Sequence, residues 1–99
     1  MQTTYTVTQL WERLSPVFRV NNVRRAVLFG SYGKGSATPE SDVDILVDSG
    51  LKGLSFFGLL EDVCQSLDRP VDLIDTQDVI PGSAIDLEIQ RTGMVIYEV

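Results

Sequence analysis

Residues 30–44 read GSYGKGSATPESDVD. A Gly-Ser pair follows the apolar run at residues 26–29, and ten residues after that pair come Asp42 and Asp44, separated by one valine. Residues i and i+2 of a strand point to the same face, with Cα atoms about 6–7 Å apart. Carboxylates held in this way can share divalent cations, as in enzymes that displace groups at phosphorus. The stretch therefore predicts a strand that presents acidic metal ligands beside a glycine-rich turn.

The glycine-rich half of this stretch predicts a nucleotide-binding turn. Gly30 would let the backbone approach a phosphate, and Ser31 could donate its hydroxyl and its N–H to it. Lys34 could reach the phosphates as a point charge, or could be a solvated loop lysine. Ser41 could orient a carboxylate, or could simply cap the turn that precedes Asp42.

A third carboxylate is available in the apolar segment 71–74. Asp72 lies between apolar neighbours there, where an unpaired charge would be costly. It could bind a metal and accept the proton of an attacking hydroxyl, because the chain has no histidine to do so. Asp75 is a rival for this role and Asp48 a weaker one. The predicted metal ligands and catalytic residues are Asp42, Asp44 and Asp72.

Short strands alternate with helices along the chain. The patterns predict strands over 26–29, 42–47, 71–74 and 94–97, and helices over 8–14, 54–67 and 81–91. Pro16 is expected to interrupt the first helix, with Ser15 able to cap a second turn, and Trp11 is expected to anchor the core. This order predicts an α/β (α+β) fold: one small domain over residues 1–99, with a mixed sheet of about four strands flanked by helices.

Composition and charge narrow the class of protein. The 99 residues carry a net charge of −6, and no basic stripe that could grip a nucleic acid backbone is visible. The single cysteine, Cys64, excludes an intramolecular disulfide, and the lack of histidine excludes His-based zinc sites and Ser-His-Asp triads. Since no signal peptide or long apolar run is present, we expect a cytoplasmic protein that contacts neither a membrane nor nucleic acid directly.

The motif as a whole resembles a known superfamily. Gly30-Ser31, ten intervening residues and Asp42-Val43-Asp44 resemble the nucleotidyltransferases typified by the palm of DNA polymerase beta. More narrowly, the chain is similar to the minimal nucleotidyltransferase (MNT) antitoxins of toxin–antitoxin pairs. The flanking segments that share this similarity are 28–29, 38–41, 45–47 and 71–73.

That resemblance implies a fold, a reaction and a partner. The fold would be the palm-like mixed sheet, with Gly30 and Ser31 holding the triphosphate and the three aspartates binding two Mg²⁺. The reaction would transfer AMP from ATP, with release of pyrophosphate, to a tyrosine of a HEPN-type toxin. The chain would then act within a hetero-oligomer.

Two departures and two alternatives accompany the resemblance. The family often has arginine where this chain has Lys34, and commonly alanine at the position of Gly33. A lysine neutralises phosphate but cannot grip it with two parallel hydrogen bonds. The alternatives are a non-catalytic antitoxin that neutralises the toxin by binding, and a subunit of a small-molecule nucleotidyltransferase.

Overall fold

A four-stranded mixed sheet organises residues 4–99, the part of the chain that the computed structural model describes. Its strands are β1 (Arg25–Phe29), β2 (Val43–Asp48), β3 (Val71–Asp75) and β4 (Met94–Glu98), in the order β3-β2-β1-β4. β1 runs antiparallel to β2 and β4, whereas β2 and β3 are parallel. The predicted mixed sheet is confirmed, with strand ends that differ from the prediction by one residue.

Helices cover the two faces of this sheet unequally. They are α1 (Val7–Val20), α2 (Gly30–Gly33), α3 (Leu54–Leu67) and α4 (Ala84–Thr92), and a 3-10 turn follows β3 (Thr76–Asp78). α1 and α3 pack side by side and bury their apolar stripes against one face, whereas α4 has no fully buried residue. Within residues 4–99, none of the helices has both the length and the apolar character needed to span a membrane.

The side chains of strand β2 alternate between the two faces of the sheet, one buried and one partly exposed. Val43, Ile45 and Val47 are completely buried against the α1–α3 layer, while Asp44 and Leu46 between them are only partly buried. This alternation follows from the two-residue period of a strand. Asp44 therefore points to the face that α4 covers only in part.

The first helix is longer than predicted, because Pro16 does not interrupt it. The helix begins at a capping box in which Thr6 Oγ1 accepts from Gln9 N at 3.0 Å and Gln9 Oε1 accepts from Thr6 N at 2.9 Å. Pro16 lies on the exposed side, so the carbonyl that loses its helical partner can be hydrated. The expected break is wrong because buried Leu14 and Phe18, on either side of Pro16, hold the helix against the sheet.

The expected core role of Trp11 is also wrong. The core side of α1 is formed by Leu10, Leu14 and Phe18, which are all completely buried. Trp11 lies next to this stripe on the helix surface, and 52% of it is exposed.

The close packing of α2 against the end of α4 generates a first prediction. A Cβ at Gly33 would collide with the carbonyl oxygen of Thr92 and lie 2.9 Å from that of Leu28. Both are backbone atoms that cannot move aside, so we expect Gly33→Ala to lower the free energy of unfolding by about 1–3 kcal/mol in urea titrations.

The matched control is Gly58→Ala in α3, where a Cβ would meet nothing within 4 Å. Removing a glycine from an exposed helical position should stabilise the protein by up to about 1 kcal/mol. Equal unfolding midpoints for the two variants would contradict the packing described here.

Candidate active site

Two carboxylates meet on the partly covered face of the sheet. The parallel register of β2 and β3 sets Asp44 directly opposite Asp72, and the antiparallel register of β1 and β2 sets Phe29 opposite Asp44. Neighbouring strands are about 4.8 Å apart, so the two acidic side chains stand next to each other. They line a cavity of about 360 Å³, together with residues that include Ile85 and Glu88 of α4.

The electrostatics of this pair show that it is crowded with negative charge. The pKa of Asp44 rises from its ordinary 3.8 to about 6, first because burial disfavours the ionised form. The adjoining carboxyl of Asp72 raises it further, followed by the charges of Asp42 and Glu88. A bound cation would relieve this repulsion. Because the donors are carboxylate oxygens, the pair fits a hard divalent ion, which prefers oxygen ligands.

Asp42 takes a different position from its two partners. It lies one residue before β2 and is exposed, although it is near enough for its charge to act on Asp44. Among residues 4–99, no three acidic or cysteine side chains are close enough to form a metal-holding group. The structure thus assembles the Asp44–Asp72 pair but not the compact trio that the sequence predicted, because the ladder of β2 does not extend to Asp42.

The turn after β1 approaches this pair closely. Gly30 has a φ of +69°, and a Cβ there would lie 2.6 Å from Asp44 Oδ2. Only glycine allows the turn to come so near, because an L side chain would be both strained and in the way of the carboxylate. Gly30 N donates to Thr92 Oγ1 at 2.8 Å, and that hydroxyl donates to the Glu88 carbonyl at 2.7 Å. α4 therefore holds the turn in place.

The other predicted nucleotide-binding residues lie along the same connection. Ser31 is half-buried in α2, and Lys34 is exposed at the C-terminal end of this short helix. Ser41 Oγ accepts from Thr38 N at 2.8 Å, so its hydroxyl already closes the turn before Asp42. The structure thus shows the turn-capping role for Ser41, and contact of any of the three with a nucleotide stays a prediction.

The rivals of Asp72 lie at the other end of the sheet. Asp75 is buried, with only 2% exposed, and accepts hydrogen bonds from the Ser49 hydroxyl, from Ser49 N and from Gln77 N. Asp48 forms an ion pair with Arg24 at 3.6 Å. Both side chains are engaged in local hydrogen bonds or ion pairs. Of the three candidates, Asp72 is therefore the one that lies opposite Asp44 on the neighbouring strand.

Two further residues near the site could not be identified from the sequence, because both act through contacts between distant segments. Thr92 holds Gly30, as described above, and comes 62 positions later in the chain. Arg69 donates to the Tyr32 hydroxyl at 3.1 Å and to the carbonyls of Pro39 and Ser41 at 3.2 Å each. Neither distance in sequence nor residue type points to these pairings.

The sequence matches a known family over residues 12–99, which is described as "Polymerase beta, Nucleotidyltransferase". Since this match spans most of the chain, the chain belongs to the polymerase beta nucleotidyltransferase family, and it is a nucleotidyltransferase. A relative from Methanocaldococcus jannaschii, MJ0435, is named as a protein adenylyltransferase. It is 28% identical over 78 residues, which are 76% of this chain and 83% of that protein.

Solved structures share the fold. A toxin–antitoxin complex with AMP-PNP is similar with a TM-score of 0.74 at 24% identity, over 90% of this chain and 73% of the matched chain. A complex of the tri-AMPylated HEPN toxin of Shewanella oneidensis with its MNT antitoxin has a TM-score of 0.71 at 20% identity, over 95% and 74%. A protein named as a minimal nucleotidyltransferase has a TM-score of 0.72 at 23% identity, over 91% and 95%. At these identities the likeness establishes the fold, and the predicted palm-like fold is confirmed.

The raised pKa of Asp44 generates a prediction about stability and pH. Protonated Asp44 is favoured in the folded chain, so its contribution to stability is complete below about pH 4 and is lost as the pH rises through about 6. Asn cannot ionise, and in a metal-free buffer we expect Asp44→Asn to be more stable than the wild type at pH 7.5 but not at pH 3.5. Because Asp44 is partly exposed and water screens the repulsion, the gain should be about 1 kcal/mol in urea titrations.

Asp48→Asn is the control for this measurement, since Asp48 belongs to the same strand but its carboxylate is exposed and paired with Arg24. Its effect should stay within about 0.5 kcal/mol at both pH values. A gain for Asp44→Asn that is the same at pH 3.5 and 7.5 would show that ionisation of Asp44 is not its cause.

Proposed function

We propose that this chain is a Mg²⁺-dependent nucleotidyltransferase that transfers AMP from ATP to a tyrosine hydroxyl of a HEPN-type toxin, as the antitoxin of a toxin–antitoxin pair. The observation that carries the proposal is the Asp44–Asp72 pair, which lines an open cavity and is closely approached by the Gly30 turn. The names of the relatives support the substrate and the partner, because they include a protein adenylyltransferase and MNT–HEPN complexes.

The carboxylates fit magnesium in number and in chemistry. Mg²⁺ usually takes one or two carboxylates and completes its shell with water and substrate phosphates. Asp44 and Asp72 would supply the protein ligands, and Asp42 would add a third oxygen donor from the segment before β2. When bound, the two Mg²⁺ would neutralise the phosphate charge and make the acceptor hydroxyl easier to deprotonate.

The protein's own groups divide the remaining tasks. Asp72 is exposed, so an incoming hydroxyl can reach it, and it would accept the proton of that hydroxyl in the absence of any histidine. Gly30 allows the backbone to approach the triphosphate, and the Ser31 hydroxyl and N–H would donate to it. Lys34 would add a flexible positive charge, while Ser41 shapes the turn that delivers Asp42. Catalysis is then mostly positioning and charge neutralisation.

The acceptor reaches this site from outside in the proposed reaction. The cavity opens at the surface, and the net charge of −6 favours a partner with a basic surface. We propose that residues 1–99 act as a single nucleotidyltransferase domain in a hetero-oligomer with the toxin. A reaction that consumes ATP also agrees with the expected cytoplasmic location.

The transfer reaction itself can be tested with a purified HEPN-type toxin as the acceptor. With ATP labelled at the α-phosphate and Mg²⁺, wild-type protein should label the toxin, and Asp42→Asn/Asp44→Asn should lower the rate by about 10²-fold or more, because the variant loses charge stabilisation of the reacting phosphate. Asp48→Asn, from the exposed end of β2, should retain the wild-type rate.

Equal labelling by the wild type and the double variant would rule out the enzyme. If the toxin is then still neutralised through a stable complex, the chain is a binding antitoxin. Labelling of a small molecule in place of the toxin would point to the small-molecule transferase.

The close approach of Gly30 to Asp44 can be tested by calorimetry of Mg²⁺–ATP binding. Gly30→Ala places a methyl group only 2.6 Å from Asp44 Oδ2, so the carboxylate must move and the affinity should fall about tenfold or more. Gly35→Ala is the matched control, because Gly35 also has a positive φ, +78°, but a Cβ there meets nothing within 4 Å. Equal losses in the two variants would mean that backbone strain, and not contact with Asp44, sets the affinity.

A further inference from the structure

Arg69 forms hydrogen bonds with two segments that border the site: the short helix α2 and the turn before Asp42. Its Nη1 donates to the hydroxyl of Tyr32 at 3.1 Å, and Tyr32 belongs to the same short helix as Gly30 and Ser31. Its Nη2 donates to the carbonyls of Pro39 and Ser41, each at 3.2 Å. These carbonyls lie in residues 38–42, which we call the Asp42 segment.

We propose that Arg69 is a positioning residue for nucleotidyl transfer, which fixes the Asp42 segment relative to the α2 turn and to Asp72. The inference rests on the proposed function. Arg69 precedes Asp72 by three residues, so one residue joins the strand of Asp72, the segment of Asp42 and the turn of Gly30.

The Asp42 segment needs such a contact because its internal hydrogen bonds are local. Ser41 N donates to the Thr38 carbonyl at 3.0 Å, and Thr38 N donates to Ser41 Oγ at 2.8 Å. These bonds shape the turn but do not fix it to the sheet, and the ladder of β2 begins only at Val43. The hydrogen bonds from Arg69 tie the turn to the connection between α3 and β3.

The base of the Arg69 side chain is itself well supported. Asp68 ends α3 in the left-handed conformation, with φ +53°, and Arg69 N then donates to the Cys64 carbonyl at 3.2 Å. The guanidinium lies 6.0 Å from the centre of the Tyr5 ring, and Tyr5 donates its hydroxyl to the Leu67 carbonyl at 2.6 Å. The donor is therefore held at a fixed place at the end of α3.

The geometry requires arginine and not only a positive charge. A guanidinium is a planar fork with several N–H donors, so it can bond the Tyr32 hydroxyl and two carbonyls at once. A lysine ammonium carries the same charge on a flexible stem but does not reproduce the fork. Arg69→Lys keeps the positive charge but removes the hydrogen-bonding fork, so it separates the effect of geometry from that of charge.

The kinetic test compares Arg69→Lys with Arg13→Lys in labelling of the toxin by ATP. Arg13 is a matched control, since its guanidinium also lies near Tyr5, at 5.2 Å, and donates to a backbone carbonyl, that of Ser66, at 3.2 Å. We expect Arg69→Lys to lower kcat by about tenfold or more with little change in KM for ATP, because a small misplacement of reacting groups is costly. Tyr32→Phe, which removes one acceptor, should cause a smaller loss, and Arg13→Lys should behave as the wild type.

Hydrogen–deuterium exchange of the protein without nucleotide or metal gives a readout besides activity. In Arg69→Lys, the amides of residues 34–42 should exchange about tenfold faster, whereas those of α1 and β2 keep the wild-type rates. The positioning role would be overturned if exchange became faster throughout the chain, or if the exchange rates of residues 34–42 did not change.

The kinetic outcomes separate the two proposals. A wild type that labels the toxin, with Arg69→Lys as fast as Arg13→Lys, would overturn the role of Arg69 and leave the proposed function standing. A wild type without Mg²⁺-dependent transfer would overturn the proposed function, and the positioning role with it.

Discussion

The parallel pairing of β2 with β3 is the constraint on which the site depends. It sets Asp44 opposite Asp72 on the face away from the α1–α3 layer, at a spacing fixed by the backbone hydrogen bonds. A shift of one residue in this register would carry one carboxylate into the apolar core, where ionisation would be very costly. The completely buried side chains of Val43, Ile45 and Val47 prevent that shift, so the same pattern that builds the core also aligns the acidic pair.

This arrangement keeps an unfavourable interaction in the folded chain. Partial burial disfavours the ionised form of Asp44, and the carboxyl of Asp72 beside it adds to the cost, which is why Asp44 binds a proton more readily than an ordinary aspartate. The α1–α3 layer offsets the cost, because its buried aliphatic and aromatic side chains lie against the opposite face of the same strands. Strained or repulsive groups that are kept at the expense of stability are typical of functional sites.

The sequence was most informative where the deciding contacts are local. The alternation along β2 and the glycine at the end of β1 predicted the placement of Asp44 and the close turn at Gly30, because strand period and backbone freedom act within a few residues. The strand was predicted to begin at Asp42, whereas the ladder starts at Val43, and the role of Asp42 as a metal ligand stays a prediction. Packing against the sheet overrode the local signal of Pro16. Thr92 and Arg69 could not be predicted, because their partners are 62 and up to 37 residues away in the chain.

The site thus combines carboxylates held on strands with one carried on a turn. Asp44 and Asp72 belong to adjacent strands and share the stability of the ladder, whereas Asp42 sits on a turn that depends on side-chain contacts. Sites on strands are held more precisely than sites on loops. In the proposed reaction the strand pair would hold the nucleotide, and the turn would bring Asp42 to it. The hydrogen bonds of Arg69 would then hold this turn in place, so that a residue outside the recognised motif would govern the reaction within it.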